Sequence, residues 1–240
     1  MTTEGLAALL SSAAVDPAVH ELGPDYVALL VAADGLPGGP SDEASDGWLR
    51  EAESAARERL AGSAPEERPH VALWRDAFRA FGAKPQRTRN SLEALLRRVP
   101  DGLPRINRLT DLYNAVSVLH EVPVGGEDLD GYVGPARLVR AAGNEPFETT
   151  ADDEPVIEHP DPGEVVWADD AGVTCRRWNW RQCSRTQISP TTTRALFIID
   201  ALGPDALVTA TGAGADLERR LRALDPAVTT SRRLLTPPRA

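Results

Sequence analysis

The spacing of apolar residues changes character along the chain, and the changes mark its elements. The opening "MTTEGLAALLSSAAV" has the spacing of a short amphipathic helix, and "YVALLVAADGL" (26–36) is a continuous apolar run suited to a buried strand. Asp34-Gly35 and "PGGPSD" close that run. In "DGWLREAESAARERLAG", Trp48, Leu49, Ala52, Ala56 and Leu60 recur at helical spacing, with Ser45 as the expected cap and Gly62 as the stop. After the linker "SAPEERP", the helix "HVALWRDAFRAFGA" aligns Val71, Trp74, Phe78 and Phe81 on one face. Asn90 or Ser91 then caps "LEALLRRV". The longest pattern, "DGLPRINRLTDLYNAVSVLHEVP", carries Ile106, Leu109, Tyr113 and Val116 along its apolar stripe. Asn107, Asp111 and Asn114 recur at i, i+4 and i+7, which places two amides and a carboxylate along one edge.

Beyond this helix the runs shorten. "VPVGGEDLDGYVG" reads as a loop in which Gly125 and Gly126 let the backbone approach something closely. Five short strands are predicted: "ARLVRAA", "GEVVWADD", "VTCRRWNW", "ALFIIDAL" and "ALVTAT". A last helix, "GADLERRLRAL", and a tail, "TPPRA", follow. Period-two alternation puts Cys175, Arg177, Asn179 and Arg181 on one face of their strand and Arg176, Trp178 and Trp180 on the other. Helices first and strands later predict an α+β fold, one domain over residues 1–240, with N-terminal helices packed on a mixed or antiparallel sheet or barrel.

Charge adds a pattern that hydropathy does not show. The net charge of −10 argues against indiscriminate coating of nucleic acid, and DNA is not expected as a partner. The charges are nevertheless segregated. Residues 74–108 hold nine basic and three acidic side chains, residues 144–170 hold ten acids and no Lys or Arg, and residues 171–199 hold five arginines and no acid. Two basic blocks bracket an acidic one. No apolar run reaches the roughly 20 residues of a membrane span, and an expectation of cytoplasmic location goes with a structural-thiol reading of Cys175 and Cys183. With the four histidines scattered, no CxxC or HExxH, and no phosphate-binding glycine loop, neither a metal nor a cofactor is expected.

The densest chemistry lies in "CRRWNWRQCSRTQIS". In one reading Arg177, Asn179 and Arg181 form a pocket wall that offers donors to a carbonyl, ribose or phosphate, with Cys183 or Thr186 at its end. Trp178 and Trp180 would stack on unpaired bases. In the other reading the indoles pack the sheet against helices while the arginines pair with the acidic block. Asn107, Asp111 and Asn114 divide in the same way, between a pocket edge and a network holding the preceding turn. Arg75, Arg79, Lys84, Arg87 and Arg89 are either a phosphate track or a solvated face. His120 is either a pocket residue or a helix cap.

"LPRINRLTDLYNAVSVLHEVPVGGEDLD" followed by "GEVVWADDAGVTCRRWNWRQCSRTQIS" resembles the editing and tRNA-contacting domain of the bacterial phenylalanyl-tRNA synthetase beta subunit, in particular free-standing versions of it. The Asn107/Asp111/Asn114 helix, the "DLD" at 128–130 and the "V-V-x-A-D" at 165–169 carry the likeness, which covers roughly residues 72–221. Residues 1–70 would be an extension packed on it. The resemblance implies an α+β fold, association with tRNA or aminoacyl-tRNA, and hydrolysis of a wrong amino acid from the tRNA's terminal adenosine. Candidate pocket residues are then Asn107, Asp111, Asn114, Gly125, Gly126, Arg177, Asn179, Arg181 and Thr186. The synthetase domain carries a His where this chain has "PVGGEDLD" and a Gly-Gly-Glu where it has "RQCSRT". A non-catalytic module binding RNA or an amino acid is therefore the alternative, and a thiol sensor using Cys175 and Cys183 a third.

Overall fold

The computed structural model describes residues 1–152 and 154–237, so the last three residues of the expected tail lie outside the described ones. The elements run α1 (Thr3–Leu10), β1 (Ala14–Val15), α2 (Pro17–His20), β2 (Val27–Asp34), α3 (Glu43–Leu60), α4 (Pro69–Ala80), α5 (Ser91–Leu96) and α6 (Arg108–His120). They continue with β3 (Val124–Asp128), β4 (Arg137–Arg140), β5 (Phe147–Ala151), β6 (Glu154–Glu158), β7 (Val165–Ala168), β8 (Val173–Arg176), β9 (Arg181–Gln182), β10 (Arg194–Ala201), α7 (Ala206–Leu224) and β11 (Thr229–Leu235).

Two open sheets organise these elements, one antiparallel in the order β11-β2-β10-β3 and one mixed in the order β1-β4-β7-β8-β9. β5 and β6 pair as a separate hairpin. The α+β expectation is met with sheets and no closed barrel among the described residues. Residues 1–70 are woven into both sheets: β1 pairs with β4, and β2 lies between β11 and β10.

The central strands β2 and β10 of the antiparallel sheet are buried on both faces, which explains their unbroken apolar runs. From β2 and β10, Val27, Leu29, Val31, Phe197 and Ile199 meet α6 and α7. Ala28, Leu30, Ala32, Leu196 and Ile198 meet α1, α4 and the mixed sheet. α6 is buried nearly all round, because Ala115 and Val118 on its other side pack with α3 and α5. No helix is long and apolar enough to cross a membrane among the described residues.

Several expectations are corrected. "ALVTAT" lies within α7, where Ala210, Ala213 and Gly214 let the helix approach the sheet: a β-carbon on Gly214 would stand 2.3 Å from a Leu29 methyl. Tertiary packing there overrides the strand preference of Val and Thr. The polar "TTSRRLL" is an edge strand, and the acidic block contains the β5–β6 hairpin. Asp42 rather than Ser45 caps α3. Its carboxylate accepts from the Ser45 N–H at 2.9 Å while the Ser45 hydroxyl accepts from the Asp42 N–H at 3.0 Å, a reciprocal cap. Asn90 is the cap of α5.

The expected loop at 124–128 is strand β3, and its glycines still answer a steric demand. A β-carbon at Gly126 would sit 2.7 Å from Ile188 and 2.8 Å from the Tyr113 ring. Gly126→Ala is expected to destabilise the fold by about 1–3 kcal/mol through overpacking, read as a lower urea midpoint at unchanged m-value.

Candidate functional site

The hairpin between β8 and β9 departs from the expected alternation. Cys175 pairs with Gln182 and Arg176 with Arg181, so residues 177–180 turn the chain instead of extending it. Arg177 and Trp178 both adopt positive φ, at 50° and 66°. Glu164 holds the turn: it makes two 2.9 Å bonds with the Arg176 guanidinium and accepts from the Arg177 N–H at 3.2 Å. Trp178 consequently points into the core, with ring centroids 5.0 Å from Tyr26 and 5.2 Å from Trp74. Trp180 is half-buried, with the guanidinium carbons of Arg177 and Arg181 at 4.6 and 4.8 Å from its ring centroid.

A cavity of about 220 Å³ opens beside this turn. Its walls come from α5 and the turn after it (Ser91, Leu95, Arg98), α6 (Tyr113, Asn114), the glycine strand (Gly125, Glu127), Trp167 of β7, the hairpin (Cys175, Asn179, Trp180, Arg181) and β10 (Ile198, Asp200). Asn179 is 7 % exposed, and neither its Oδ1 nor its Nδ2 makes a hydrogen bond among the described residues. A buried amide left in this state is costly unless a ligand or solvent meets it.

Two carboxyls line the same cavity. Burial pushes Asp200 up to about 7, a rise partly offset by the hydroxyl of Tyr26, donating at 2.5 Å, and then by the nearby Trp167 indole and Asn179 amide. Burial likewise pushes Glu127 up to about 7 against the hydrogen bond from Tyr132. Cys175 lies near both, and its thiol is raised well above its ordinary value by burial and then by these carboxyls. Neither carboxyl has an ion-pair partner among the described residues, whereas Glu164 and Asp169 each grip an arginine. No group of three or more His, Cys, Asp or Glu side chains has an arrangement that could hold a metal ion among the described residues.

Outside the cavity mouth runs a groove of about 420 Å³ lined by Arg87, Arg89, Arg97, Arg98 and Arg181, with Ala94 and Trp180. Ala94, Arg98, Trp180 and Arg181 belong to both spaces. Arg97 pairs with Glu66 and Glu93, and Arg181 with Glu158. Arg87 and Arg98 are exposed and have no ion-pair partner among the described residues.

The structure brings Asn114, Gly125, Asn179 and Arg181 together at the cavity, with Trp180, and sends the other candidates elsewhere. Asn107 caps α6 by accepting from Thr110 N–H and donates to the Ile188 carbonyl. Asp111 accepts from the Ile106 N–H and the Ser45 hydroxyl. This pair holds the preceding turn. Gly126 lies beneath Tyr113, and Thr186 is buried with its hydroxyl 3.3 Å from the Cys183 sulfur. Arg177 lies toward Glu164 and Asp161, while His120 faces Asp216 on α7. Trp178 is fully buried, which removes it from base stacking although its edge lines the cavity. Of the candidate RNA contacts, Arg87 and Arg89 line the groove; Arg75 is tied to buried Glu93, Arg79 pairs with Asp76, and Lys84 is exposed elsewhere. Sequence reasoning passed over Asp200, Glu127 and Arg98. Period-two spacing from Leu196 and Ile198 places Asp200 on a buried face, a signal available in "ALFIID".

The family model described as "B3/4 domain" matches residues 73–227. Among solved structures, the chain is similar to an N-terminal fragment of the phenylalanyl-tRNA synthetase beta-subunit from Pyrococcus horikoshii. The likeness has 13 % identity and a TM-score of 0.42, and covers 92 % of this chain and 51 % of that one. The chain thus spans about half the length of that fragment. No curated protein matches.

The buried carboxyls set a pH dependence of stability. A carboxyl whose folded pKa is raised favours the folded state below its unfolded value, about 4, and loses that contribution as pH rises through about 7. Asp200→Asn is therefore expected to raise the melting temperature relative to the unsubstituted protein at pH 8 and to change it little at pH 4, checked by thermal melts across that range.

Proposed function

The chain belongs to the B3/4 domain family, and from that premise we propose that it binds the aminoacyl end of a tRNA and hydrolyses the ester of a mischarged one in trans. The observation that carries the reading is the shared wall between the arginine groove and the cavity. Arg87 and Arg98, free of internal carboxylates among the described residues, suit the phosphates of a single-stranded acceptor end. Trp180, half-buried at the junction, offers a face beside the terminal base or ribose. The aminoacyl group then enters the cavity.

Inside, the Asn179 amide is the donor available to an ester carbonyl, because its Nδ2 makes no hydrogen bond among the described residues. Asn114 stands on the facing helix. Water attacks the carbonyl carbon, the carbonyl oxygen takes negative charge in the tetrahedral intermediate, and the bond to the ribose oxygen breaks, with a proton passing from the water to that oxygen. An aminoacyl ester is already activated, so a held water and a donor to the oxyanion supply most of what the reaction needs. Gly125 stands in the strand where the synthetase domain's loop carries its His, which favours a second reading: a module that binds the charged end without cleaving it.

Filter binding across salt and deacylation of tRNAs charged with cognate and non-cognate amino acids test both. Arg87→Ala and Arg98→Ala are expected to weaken binding of uncharged tRNA and to reduce the slope of log K against log salt by about one each. Asn179→Ala is expected to leave that binding intact and to slow ester loss by about 10²-fold. Binding without hydrolysis of any charged tRNA selects the second reading, and the absence of salt-sensitive binding rejects both.

A further inference from the structure

The deacylation scheme uses Asn179 and the groove but leaves Asp200 and Glu127 without a task. They sit on one face of the antiparallel sheet. β3 and β10 pair with Glu127 opposite Leu196, and Asp200 lies four residues further along β10. Four residues of strand span about 13 Å, so the two carboxyls stand toward opposite ends of the cavity. Asp200 is 2 % exposed and Glu127 1 %. Each has one oxygen bonded to a tyrosine hydroxyl, neither has a cationic partner among the described residues, and both line the space.

Among the described residues the other buried carboxylates are met on the protein side, Asp111 by the Ile106 N–H and the Ser45 hydroxyl, one to each oxygen, and the rest by arginine. Glu93 is met by Arg75 and Arg97, Glu164 by Arg176, and Asp169 by Arg185. Burying an unpaired carboxylate is expensive, and a site that keeps two of them facing one cavity is built for a cation that arrives from outside. The Asn179 amide, buried on the same wall beside Asp200 and making no hydrogen bond within 3.5 Å among the described residues, also points to a ligand: its Oδ1 accepts from an ammonium and its Nδ2 donates to a carbonyl.

We propose that the cavity is a receptor for a diamino acid, with one carboxyl pairing the α-ammonium and the other a side-chain ammonium, so that the aminoacyl groups selected are those of the lysine and ornithine class. The inference rests on the reading of this cavity as the seat of the aminoacyl group. It also fits the charge layout, since arginines at the mouth face phosphate and carboxylates in the interior face amine. Neutral aromatic or aliphatic side chains leave the second carboxyl unpaired and are rejected for that reason.

The test omits tRNA. Lysinamide, ornithinamide and norleucinamide share an α-ammonium and a neutral carboxamide, and only the first two carry a second amine. Titration calorimetry of the full chain at pH 8 is expected to give dissociation constants at least tenfold lower for lysinamide or ornithinamide than for norleucinamide. Of the isosteric variants Glu127→Gln and Asp200→Asn, one should abolish that preference and the other weaken all three amides alike, with melting temperatures confirming that both fold. Norleucinamide binding as tightly as lysinamide overturns the proposal. So does failure of all three to bind, or persistence of the preference in both variants. If tRNA binding holds while the amide preference fails, only the amine receptor is lost; if the preference holds while tRNA binding fails, only the tRNA reading is lost.

Discussion

The bidentate contact between Glu164 and Arg176 is the constraint on which the site depends. Two successive residues in left-handed backbone, Arg177 and Trp178, each cost about 1–2 kcal/mol without a compensating contact. Glu164 supplies one by bonding the guanidinium before the turn and the N–H inside it, while the Trp178 N–H donates to the Val165 carbonyl at 2.6 Å. The turn so fixed sends Trp178 into the aromatic cluster with Tyr26 and Trp74, and aims Asn179 and Trp180 at the cavity. Removing Glu164 would leave the Arg176 guanidinium buried with only Glu158 beside it, the situation in which breaking a buried pair costs most.

The same logic sorts the arginines. Members of the acidic block serve as internal counter-ions: Glu158 and Glu164 meet Arg176, Arg177 and Arg181, while Asp169 meets Arg185 with two bonds and also accepts from the N–H groups of Val133 and Ala171. Glu93 does this service within the first basic block. Arg87 and Arg98 are left for solvent, and they share one groove. A chain of net charge −10 thereby carries a local positive track, which suits a partner that must approach in one orientation and be repelled elsewhere.

Much of the helical half of the fold was legible because α3 and α4 bury one face in the 3.6-residue period, Gly62 follows the end of α3, and Asn90 caps the start of α5. Strand β11 was not, since an edge strand of Thr, Ser and Arg carries no apolar alternation, and the start of α7 was obscured by β-branched residues whose helix is fixed by contact with Leu29. At the site, the segment 175–181 looked like one extended stretch because sequence alternation is blind to two left-handed residues that are not glycine. The pairing of acidic with arginine blocks was readable as one of two alternatives. Which arginines escaped it was not, because that depends on strand register: Arg181 stands opposite Arg176 and so shares Glu158 with it. Asn107, Asp111 and Asn114 lie at helical spacing, yet the first two serve the helix start and only Asn114 reaches the cavity.

A polarity gradient follows from these pairings. Cationic side chains at the mouth remain hydrated, so their interactions with a phosphate are long-ranged, weakened by salt and tolerant of position. The interior groups, Asn179, Glu127 and Asp200, are desolvated, so contacts with them are short-ranged and intolerant of a mismatched partner. In the proposed reading, affinity and selectivity fall to different parts of one continuous surface. The cost falls on the folded state, which keeps two carboxyls and an amide buried without full partners. That is the pattern of a site that gives up some stability to a ligand's needs, since an apolar residue at Asp200, next in phase after Leu196 and Ile198, would have continued the core.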